Sequence, residues 1–449
     1  MKRVSKKIYG IVAILMAVIV MLSGCGAATD NPVSDKKGQD SPDAGQDTPK
    51  AKIKVLVSYD AKTLGPHYVD LWPKIVDELG YEMEFENPGT EAFKTKIKVA
   101  LAGNELPDVF SVWGGSYLEP FIDSKSVLPV QDYIADSGLD YQKAYAQPYK
   151  DGNMYVIPSK DEAYAVTYVN MELLKLIGKE VPRTWDDLLG IVEATNQYNK
   201  ANGTTYAAIG PGVKDRWVGE VLYTVIVNSL DKDAFDKMMS GEIDMTDGVF
   251  LEAARRIEKL VSMGAFPNGF LQMASSETNE IFTTGQYVLY PHQSSVLKKF
   301  VAGMDPESLQ VIPFPDCATP ADPNYGKNLM NGNNKLMPGL CISKKAEFPD
   351  EAAKLALRFS EEANKINVMD FGSAGYIIDE SLKPTKDFPT PIKQHAELVK
   401  NVDHLTSYWF AAVDAGVGEP WRDLTQKLYG QGVTPEDFVK EAQKIFSKK

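Results

Sequence analysis

The sequence predicts an α/β protein built as two lobes, and three observations lead to this prediction. Between residues 53 and 113, apolar runs typical of buried strands alternate with helical patterns, which indicates a parallel sheet with crossover helices. Without an N-terminal leader about 400 residues remain, more than one hydrophobic core usually supports. Residues 154–169 hold two extended runs with no helix between them, which suggests a crossing between lobes.

The first 24 residues have the pattern of an export signal. Four basic side chains precede an apolar run over residues 8–22, which is shorter than the roughly 20 residues that a membrane span needs. Leu22-Ser-Gly-Cys25 ends the run and resembles the bacterial lipoprotein signal. We therefore predict a signal peptide over residues 1–24 and a lipidated Cys25. An ordinary signal peptide with an incidental cysteine is the alternative.

Residues 25–51 are predicted to be the lipidated cysteine and a disordered tether. Residues 26–50 contain no aromatic side chain and a single valine, and they are rich in Asp, Pro, Gly, Ser and Gln. Such a segment cannot bury enough apolar surface to offset the entropy of ordering.

Composition excludes several classes of function. The chain has 61 acidic and 48 basic residues, a net charge of −13, which argues against binding nucleic acid or anionic lipid surfaces. Its four histidines show no HExxH spacing, and no Gly-x-Ser-x-Gly elbow or phosphate-binding loop occurs. Asp215 with Glu220, or Asp403 with His404, could form acid/base pairs, but solvated surface charge is the favoured interpretation. We predict no enzymatic activity, cofactor or metal site.

Cysteine usage does not indicate a disulfide scaffold. Besides Cys25, the chain has only Cys317 and Cys341. Two separate buried thiols are favoured over a disulfide between them.

The elements of the first lobe follow in chain order. The predicted elements are a strand over 53–58, a helix over 66–79 interrupted by Pro73, a strand over 82–86, a helix through Phe93, Ile97, Ala100 and Leu101 that Gly103 ends, and a strand over 106–113. Ligands of parallel sheets bind at the carboxyl ends of the strands. Those ends are Ser58-Tyr-Asp60 and Trp113-Gly-Gly115.

Strands and helices can be predicted for the rest of the chain from the same patterns. The predicted elements are strands over 154–157 and 164–169, a helix over 171–177 that Gly178 ends, helices near 184–198, 217–229 and 247–263, strands ending at 293 and 342, a helix over 351–359 and a last helix capped by Thr434. Thr184 and Asp187 have the spacing of a capping box.

An ordered set of motifs gives a resemblance to a known family. Asp151-Gly-Asn-Met-Tyr-Val-Ile-Pro158 is followed by Tyr168-Val-Asn170 and then by Pro182-Arg-Thr-Trp-Asp-Asp-Leu188. Leu106-Pro-Asp-Val-Phe110 and residues 282–293 extend the set. It resembles the extracellular solute-binding proteins of ABC importers, in the carbohydrate-type branch that includes maltose-binding protein.

The resemblance implies a fold and a division of the chain. The fold is the two-lobed, type II periplasmic-binding-protein fold, with crossing strands at a hinge. The first lobe would comprise residues 52–160 and 292–340, and the second would comprise 161–291 and 341–449 with the C-terminal helices. Residues 282–293 would return the chain to the first lobe, and residues 331–342 would return it to the second.

Ten residues are candidates for ligand contact. Tyr59, Asp60 and Trp113 end predicted strands, and two glycines beside Trp113 leave room for a ligand. The resemblance implies Glu162 after the hinge proline, Trp217 at a helix start, and Tyr376 in a turn beside the cleft. It also implies a C-terminal cluster of Tyr408, Trp409 and Trp421-Arg422, from which Trp409 and Trp421 are the candidates. His292 and Gln293 stand where the family usually has Gly and Trp. Packing in the core is the alternative for Trp113 and for half of the C-terminal cluster, and a solvated turn is the alternative for Tyr59 and Asp60.

Together these features predict a binding protein. We expect a monomer, tethered by Cys25 to the outer face of a bacterial cell membrane, that captures a sugar or oligosaccharide and delivers it to the permease of an ABC importer. Two alternatives stay open. One is a binding protein for a peptide, a polyamine or a metal, and the other is a secreted glycosidase with a carboxylate pair.

Overall fold

A computed structural model describes residues 50–59, 65–142, 145, 148–149, 151–160, 163–332 and 338–447. The predicted signal peptide, Cys25 and nearly all of the tether lie outside the described residues, as do Asp60 and Glu162. Within the described ranges, no helix has both the length and the apolar character needed to cross a bilayer.

Strands and helices alternate along most of the chain. The strands are β1 (Lys52–Leu56), β2 (Glu82–Glu86), β3 (Val109–Val112), β4 (Ile157–Pro158), β5 (Ala165–Asn170), β6 (Ala207–Ile209), β7 (Tyr287–Gln293), β8 (Leu309–Ile312), β9 (Leu329–Gly332), β10 (Gly339–Ile342) and β11 (His404–Ser407). The helices are α1 (Gly65–Leu79), α2 (Thr90–Gly103), α3 (Glu119–Asp123), α4 (Gln131–Ser137), α5 (Met171–Leu176), α6 (Trp185–Asn202), α7 (Trp217–Leu230), α8 (Ala234–Ser240), α9 (Gly248–Ser262), α10 (Ser275–Thr283), α11 (Leu297–Gly303), α12 (Pro349–Phe371), α13 (Thr390–Lys400), α14 (Trp409–Ala412), α15 (Ala415–Tyr429) and α16 (Pro435–Phe446).

The first lobe is built on a five-stranded sheet of order β2-β1-β3-β10-β4. β1 pairs in parallel with β2 and β3, whereas β10 runs antiparallel to β3 and β4. Gly339 lets β10 approach β4 closely, because a Cβ atom there would lie 2.2 Å from the carbonyl oxygen of Ile157. From these pairings, β1, β3 and β4 run in one direction and end at the same edge of the sheet.

Both faces of this sheet are covered. Ile53 and Val55 point towards α1 and α12, where Trp72 stacks on Phe359 with ring centroids 4.2 Å apart. On the opposite face Leu56 packs with Phe93 of α2 and its neighbours. β1 thus buries Ile53 and Val55 on one face and Leu56 on the other, while Lys52 and Lys54 are exposed.

The second lobe is built on a four-stranded sheet of order β6-β7-β5-β8. β5 pairs antiparallel with both β7 and β8, and β6 pairs in parallel with β7. One large core joins α5–α7, α9, α15 and α16 to this sheet, and a second core lies under α11 and α13. β9 and β11 form a separate parallel pair.

The chain crosses between lobes at places that differ in part from the prediction. The crossing between β4 and β5 lies where two strands follow each other without a helix, as predicted. β7 and β8, however, both pair with β5 in the second sheet, although residues 292–340 were predicted in the first lobe. β10 and α12 belong to the first lobe, although residues 341–449 were predicted in the second. The apolar pattern of a strand does not specify which sheet it joins, so both returns were predicted too early. The chain enters the first sheet at β10 rather than at β7, and it leaves the first lobe only after α12.

Local start and stop signals are well supported by the structure. The capping box is present, with the Thr184 hydroxyl accepting from the backbone N–H of Asp187 and the Asp187 carboxylate accepting from that of Thr184. Thr434 caps α16 through its hydroxyl, which accepts from the backbone N–H of Asp437. α2 ends one residue later than predicted, because Asn104 rather than Gly103 takes the left-handed conformation, with φ of 58°. Cys317 and Cys341 are both buried free thiols, which confirms the favoured prediction.

Candidate functional site

A cleft of about 490 Å³ lies between the two lobes. On the first-lobe side its walls come from the segments that follow β1, β3 and β4, the three strands that end at one edge of the sheet. On the second-lobe side they come from the end of β7 and from α7, α13, α14 and α15. The cleft thus lies at the carboxyl ends of first-lobe strands, where ligand binding was predicted, and ligand contact there stays a prediction.

Trp113 stands on the first-lobe wall directly after β3. Its ring lies edge-on to Phe93 with centroids 5.6 Å apart, and Tyr117 lies 5.8 Å away. The side chain is half-buried and lines the cleft together with Gly114. The ring is thus supported from behind and open to a ligand in front.

Tyr59 follows β1 on the same wall but is only 2% exposed. Asn87 fixes its backbone, accepting from the Tyr59 N–H at 2.9 Å and donating to the Tyr59 carbonyl at 3.2 Å. The ring stacks on Phe359, and burial raises the pKa of its hydroxyl well above the usual value. Tyr59 therefore lies at the bottom of the cleft with little of its surface open to a ligand.

Lys160 follows β4 and reaches back across the edge of the sheet. Its Nζ donates to the Ser58 carbonyl oxygen at 2.8 Å and lies 4.8 Å from the centroid of the Tyr59 ring. Burial lowers the pKa of Lys160 to about 8. The residue lies two positions before Glu162, the acid that the resemblance implied.

Trp217 forms part of the second-lobe wall at the first position of α7. His292 supports it from behind, edge-on at 5.2 Å, and stacks on Tyr290 on its other side. His292 is buried, bonds Ser275 through Nε2 at 2.7 Å, and has its pKa lowered to about 4 by burial. The structure therefore places His292 behind the wall of the main cleft, while its neighbour Gln293 lines that cleft.

The C-terminal helices bring Phe410 and Arg422 to the cleft. The Arg422 guanidinium lies 5.6 Å from the Phe410 ring centroid, forms an ion pair with Glu419 and donates to the Tyr117 hydroxyl at 3.3 Å. Tyr117 belongs to the first lobe, so Arg422 makes a contact across the cleft.

A buried carboxyl group holds these elements together. Glu220 Oε1 accepts from the Phe410 backbone N–H at 3.2 Å and from the Trp421 indole N–H at 3.3 Å. Glu220 is fully buried, and burial raises its pKa to about 8. The prediction that it is a solvated surface charge is wrong. Glu220 positions the cleft wall instead.

Three predicted contacts lie in the core rather than on the cleft wall. Tyr376 is fully buried and donates to the Ser360 carbonyl oxygen at 2.8 Å. Trp409 and Trp421 stack on each other with centroids 5.7 Å apart inside the second-lobe core. These three predictions are corrected, because each ring is enclosed by helices. Asp60 and Glu162 lie outside the described residues.

Two cleft residues that the sequence analysis did not select as ligand contacts lie next to those that it selected. Phe410 follows Trp409, and Arg422 follows Trp421, one position along α14 and α15. Consecutive helical residues point about 100° apart, so the partner of a core aromatic faces the cleft. For Arg422 the sequence did contain a signal. When a basic and an apolar residue are adjacent in a helix, the basic one more often faces solvent.

Comparison with known proteins agrees with this architecture. A family model described as bacterial extracellular solute-binding protein matches residues 76–378, more than half of the chain. A fructooligosaccharide ABC transporter substrate-binding protein, FusA, from Streptococcus pneumoniae is 23% identical over 203 residues, which cover 40% of this chain and 37% of that relative. The match therefore spans little more than a third of that relative's length.

Solved structures share the fold across nearly the whole chain. A chitin oligosaccharide binding protein superposes with a TM-score of 0.75 at 21% identity, covering 89% of this chain and 98% of that one. A structure from work on xylan utilization by Caldanaerobius polysaccharolyticus gives a TM-score of 0.74 at 21% identity, covering 88% and 99%. The likeness shows the two-lobed, type II periplasmic-binding-protein fold. With the family match over residues 76–378, the chain belongs to the bacterial extracellular solute-binding proteins.

Proposed function

We propose that this protein captures a saccharide between its two lobes and delivers it to the permease of an ABC importer. The observation that carries the proposal is the pairing of aromatic rings across the cleft. Trp113 and Tyr117 lie on the first lobe, and Trp217 and Phe410 lie on the second. Sugar rings present C–H faces that pack on aromatic side chains, and a few polar groups among such rings are typical of small-molecule sites.

The mechanism follows from the position of the cleft. A ligand held by both lobes makes all of its contacts only when the lobes are closed, so binding shifts the equilibrium towards closure. A closed, loaded protein is the form that a permease would distinguish from an empty one. The Streptococcus relative, described as an ABC transporter substrate-binding protein, supports this partner.

We propose that the protein binds the saccharide without cleaving it. The matched family and the Streptococcus relative are both described as binding proteins, and this supports the proposal. The ligand would leave the cleft chemically unchanged.

Intrinsic tryptophan fluorescence and thermal shift against a saccharide panel and a peptide panel test the function. We expect saturable fluorescence changes and raised melting temperatures with saccharides only. Binding of peptides alone would overturn the saccharide proposal, and release of shortened sugars would show an enzyme. Chromatography of the ligand after incubation makes that distinction.

We further propose that the mature chain is tethered to the outer face of the membrane through lipid on Cys25. Support comes from Leu22-Ser-Gly-Cys25 after the apolar run and from a family that is extracellular. Cys25→Ser should release the protein into the soluble fraction with its melting temperature unchanged, because residues 50–447 hold the folded core. Cell fractionation checks this, and equal membrane retention of the variant would contradict the anchor.

A further inference from the structure

Trp217 is a ring of the cleft wall that is not closely packed on every side. Its half-buried side chain lines the main cleft. The ring also borders a second space of about 10 Å³, which is lined mainly by apolar side chains of β5 and α7. Atoms that line such a space lack contact partners there. Packing alone therefore holds the Trp217 ring less firmly than a ring in a closed core.

His292 supplies a fixed support for that ring. The two rings meet edge-on, with their planes at 73° and their centroids 5.2 Å apart. His292 in turn stacks on Tyr290, with centroids 5.3 Å apart and planes at 14°. The Tyr290 hydroxyl donates to Asn279 Oδ1 and lies 2.8 Å from the Thr278 hydroxyl, and both partners belong to α10. All four supporting residues are buried, so the imidazole has little freedom to turn.

Ser275, at the start of α10, joins two contacts that bear on Trp217. Its hydroxyl lies 2.7 Å from His292 Nε2, behind the ring. Its backbone N–H donates to the Asp215 carboxylate at 2.7 Å, and Asp215 lies two residues before Trp217. One buried residue thus restrains both the backbone that carries the tryptophan and the imidazole that supports its ring.

We propose that Ser275 and His292 are positioning residues, which hold the Trp217 ring in the orientation that the ligand meets. Neither belongs to the described lining of the main cleft, so their effect on the ligand passes through Trp217. A binding group whose orientation is already fixed has less freedom to lose when the ligand arrives. The expected effect on affinity rests on the proposed function, whereas the order of the ring can be measured without a ligand.

Near-ultraviolet circular dichroism of the full exported protein, without ligand, tests the order of the ring. The chain has six tryptophans, so the Trp217 signal is taken in each background as the change caused by Trp217→Phe. His292→Leu and Ser275→Ala should each weaken this signal, because a ring that samples several orientations gives a smaller band. His404→Leu, at a half-buried position on β11 outside the described cleft lining, is the matched control and should leave it unchanged.

Calorimetric titration with xylotriose, chitotriose and kestose tests the effect on binding. For the sugar that binds most tightly, His292→Leu should lower the affinity at least about fivefold in the parent and no more than about twofold in Trp217→Ala. The two losses differ because His292 acts on the ligand only through the tryptophan ring.

Two further comparisons separate the ring of His292 from its hydrogen bond. His292→Phe keeps an aromatic edge beside Trp217 but cannot bond Ser275, so it should retain more affinity than His292→Leu. Ser275→Ala keeps the backbone N–H for Asp215 and removes only the hydroxyl, so its loss of affinity should be smaller than that of His292→Leu. Thermal unfolding of every variant measures folding separately from binding.

The outcomes distinguish this inference from the proposed function. Equal affinity losses from His292→Leu with and without Trp217, or an unaltered Trp217 signal in the folded variants, would overturn the inference and leave saccharide binding in place. If none of the sugars binds, the proposed function fails, and the dichroism of the ligand-free protein still decides whether His292 and Ser275 order the ring.

Discussion

Trp113 has a structural side and an open side. One edge of the ring meets Phe93, and the opposite side faces the cleft. Its contribution should therefore divide between folding and binding, with the larger share in binding.

We expect Trp113→Ala to lower the free energy of unfolding by about 1 kcal/mol, the usual size away from a closed core. Affinity for ligand should fall by about tenfold to a hundredfold, or roughly 1–3 kcal/mol. Urea unfolding and calorimetric titration measure the two quantities. Trp72→Ala is the contrasting variant, because that fully buried ring should cost about 3–5 kcal/mol of stability. A Trp113 variant that unfolds as easily as this one yet binds normally would show that Trp113 belongs to the core.

The buried carboxyl group of Glu220 should make the stability of the folded protein depend on pH. Its pKa in the folded chain is about 8, against an ordinary value of 4.5. Between these values the folded state keeps a proton that the unfolded state has released. Stability is therefore fully present below pH 4.5 and falls as the pH rises towards 8.

Glu220→Gln should remove this decline, since a carboxamide oxygen can still accept from Phe410 and Trp421 without ionising. We expect the variant to exceed the parent in stability by an amount that grows from pH 5 to pH 8. Urea denaturation across this range measures the difference. Glu258→Gln, at an exposed position on α9, is the matched control and should give parallel curves. If the stability of Glu220→Gln also ran parallel to that of the parent from pH 5 to pH 8, Glu220 would be ionised in the folded protein.

At the scale of elements, the contact between β10 and β4 depends on one missing side chain. β10 is the strand by which the chain returns to the first lobe, and Gly339 begins it. The atom nearest to an added Cβ is the Ile157 carbonyl oxygen, which cannot move aside without shifting β4, and the next is Cγ1 of Val156 at 2.4 Å.

Gly339→Ala should destabilise the protein by about 1–3 kcal/mol or more, because overpacking forces a backbone shift. Gly248→Ala is the control, since a Cβ at the start of α9 would meet nothing within 4 Å. That variant should be neutral or slightly more stable, because alanine favours the helix. Thermal and urea unfolding of both variants test the prediction, and equal stabilities would contradict the close approach.

Elements of regular pattern were predictable from the sequence, and the pairing of distant strands was not. The alternation of β2, the capping box at Thr184 and the αL glycine at Gly178 are all local signals, and the structure has each of them. The sheet that β8 or β10 joins depends on contacts between residues far apart in the chain. The direction in which a helical residue points was equally hard to predict, because one residue of rotation in α14 or α15 exchanges a cleft residue for a core residue.

At the scale of the whole molecule, the two lobes are joined by short crossings, one of them between β4 and β5. A cleft with ligand-facing groups on both sides favours closure when a ligand is bound. We expect small-angle X-ray scattering to give a smaller radius of gyration at saturating saccharide than without ligand. A sugar that shows no calorimetric binding serves as the control. An unchanged scattering profile at proven saturation would count against hinge closure.

The two thiols make the opening of each lobe separately observable. Cys317 lies in the core of the second lobe and Cys341 in that of the first. Burial raises the pKa of both thiols, so neither should react with an alkylating reagent until its own surroundings open. Labelling rates thus measure local unfolding one lobe at a time. A ligand that bridges the lobes should slow labelling at both positions, whereas a ligand held by a single lobe should protect one thiol alone.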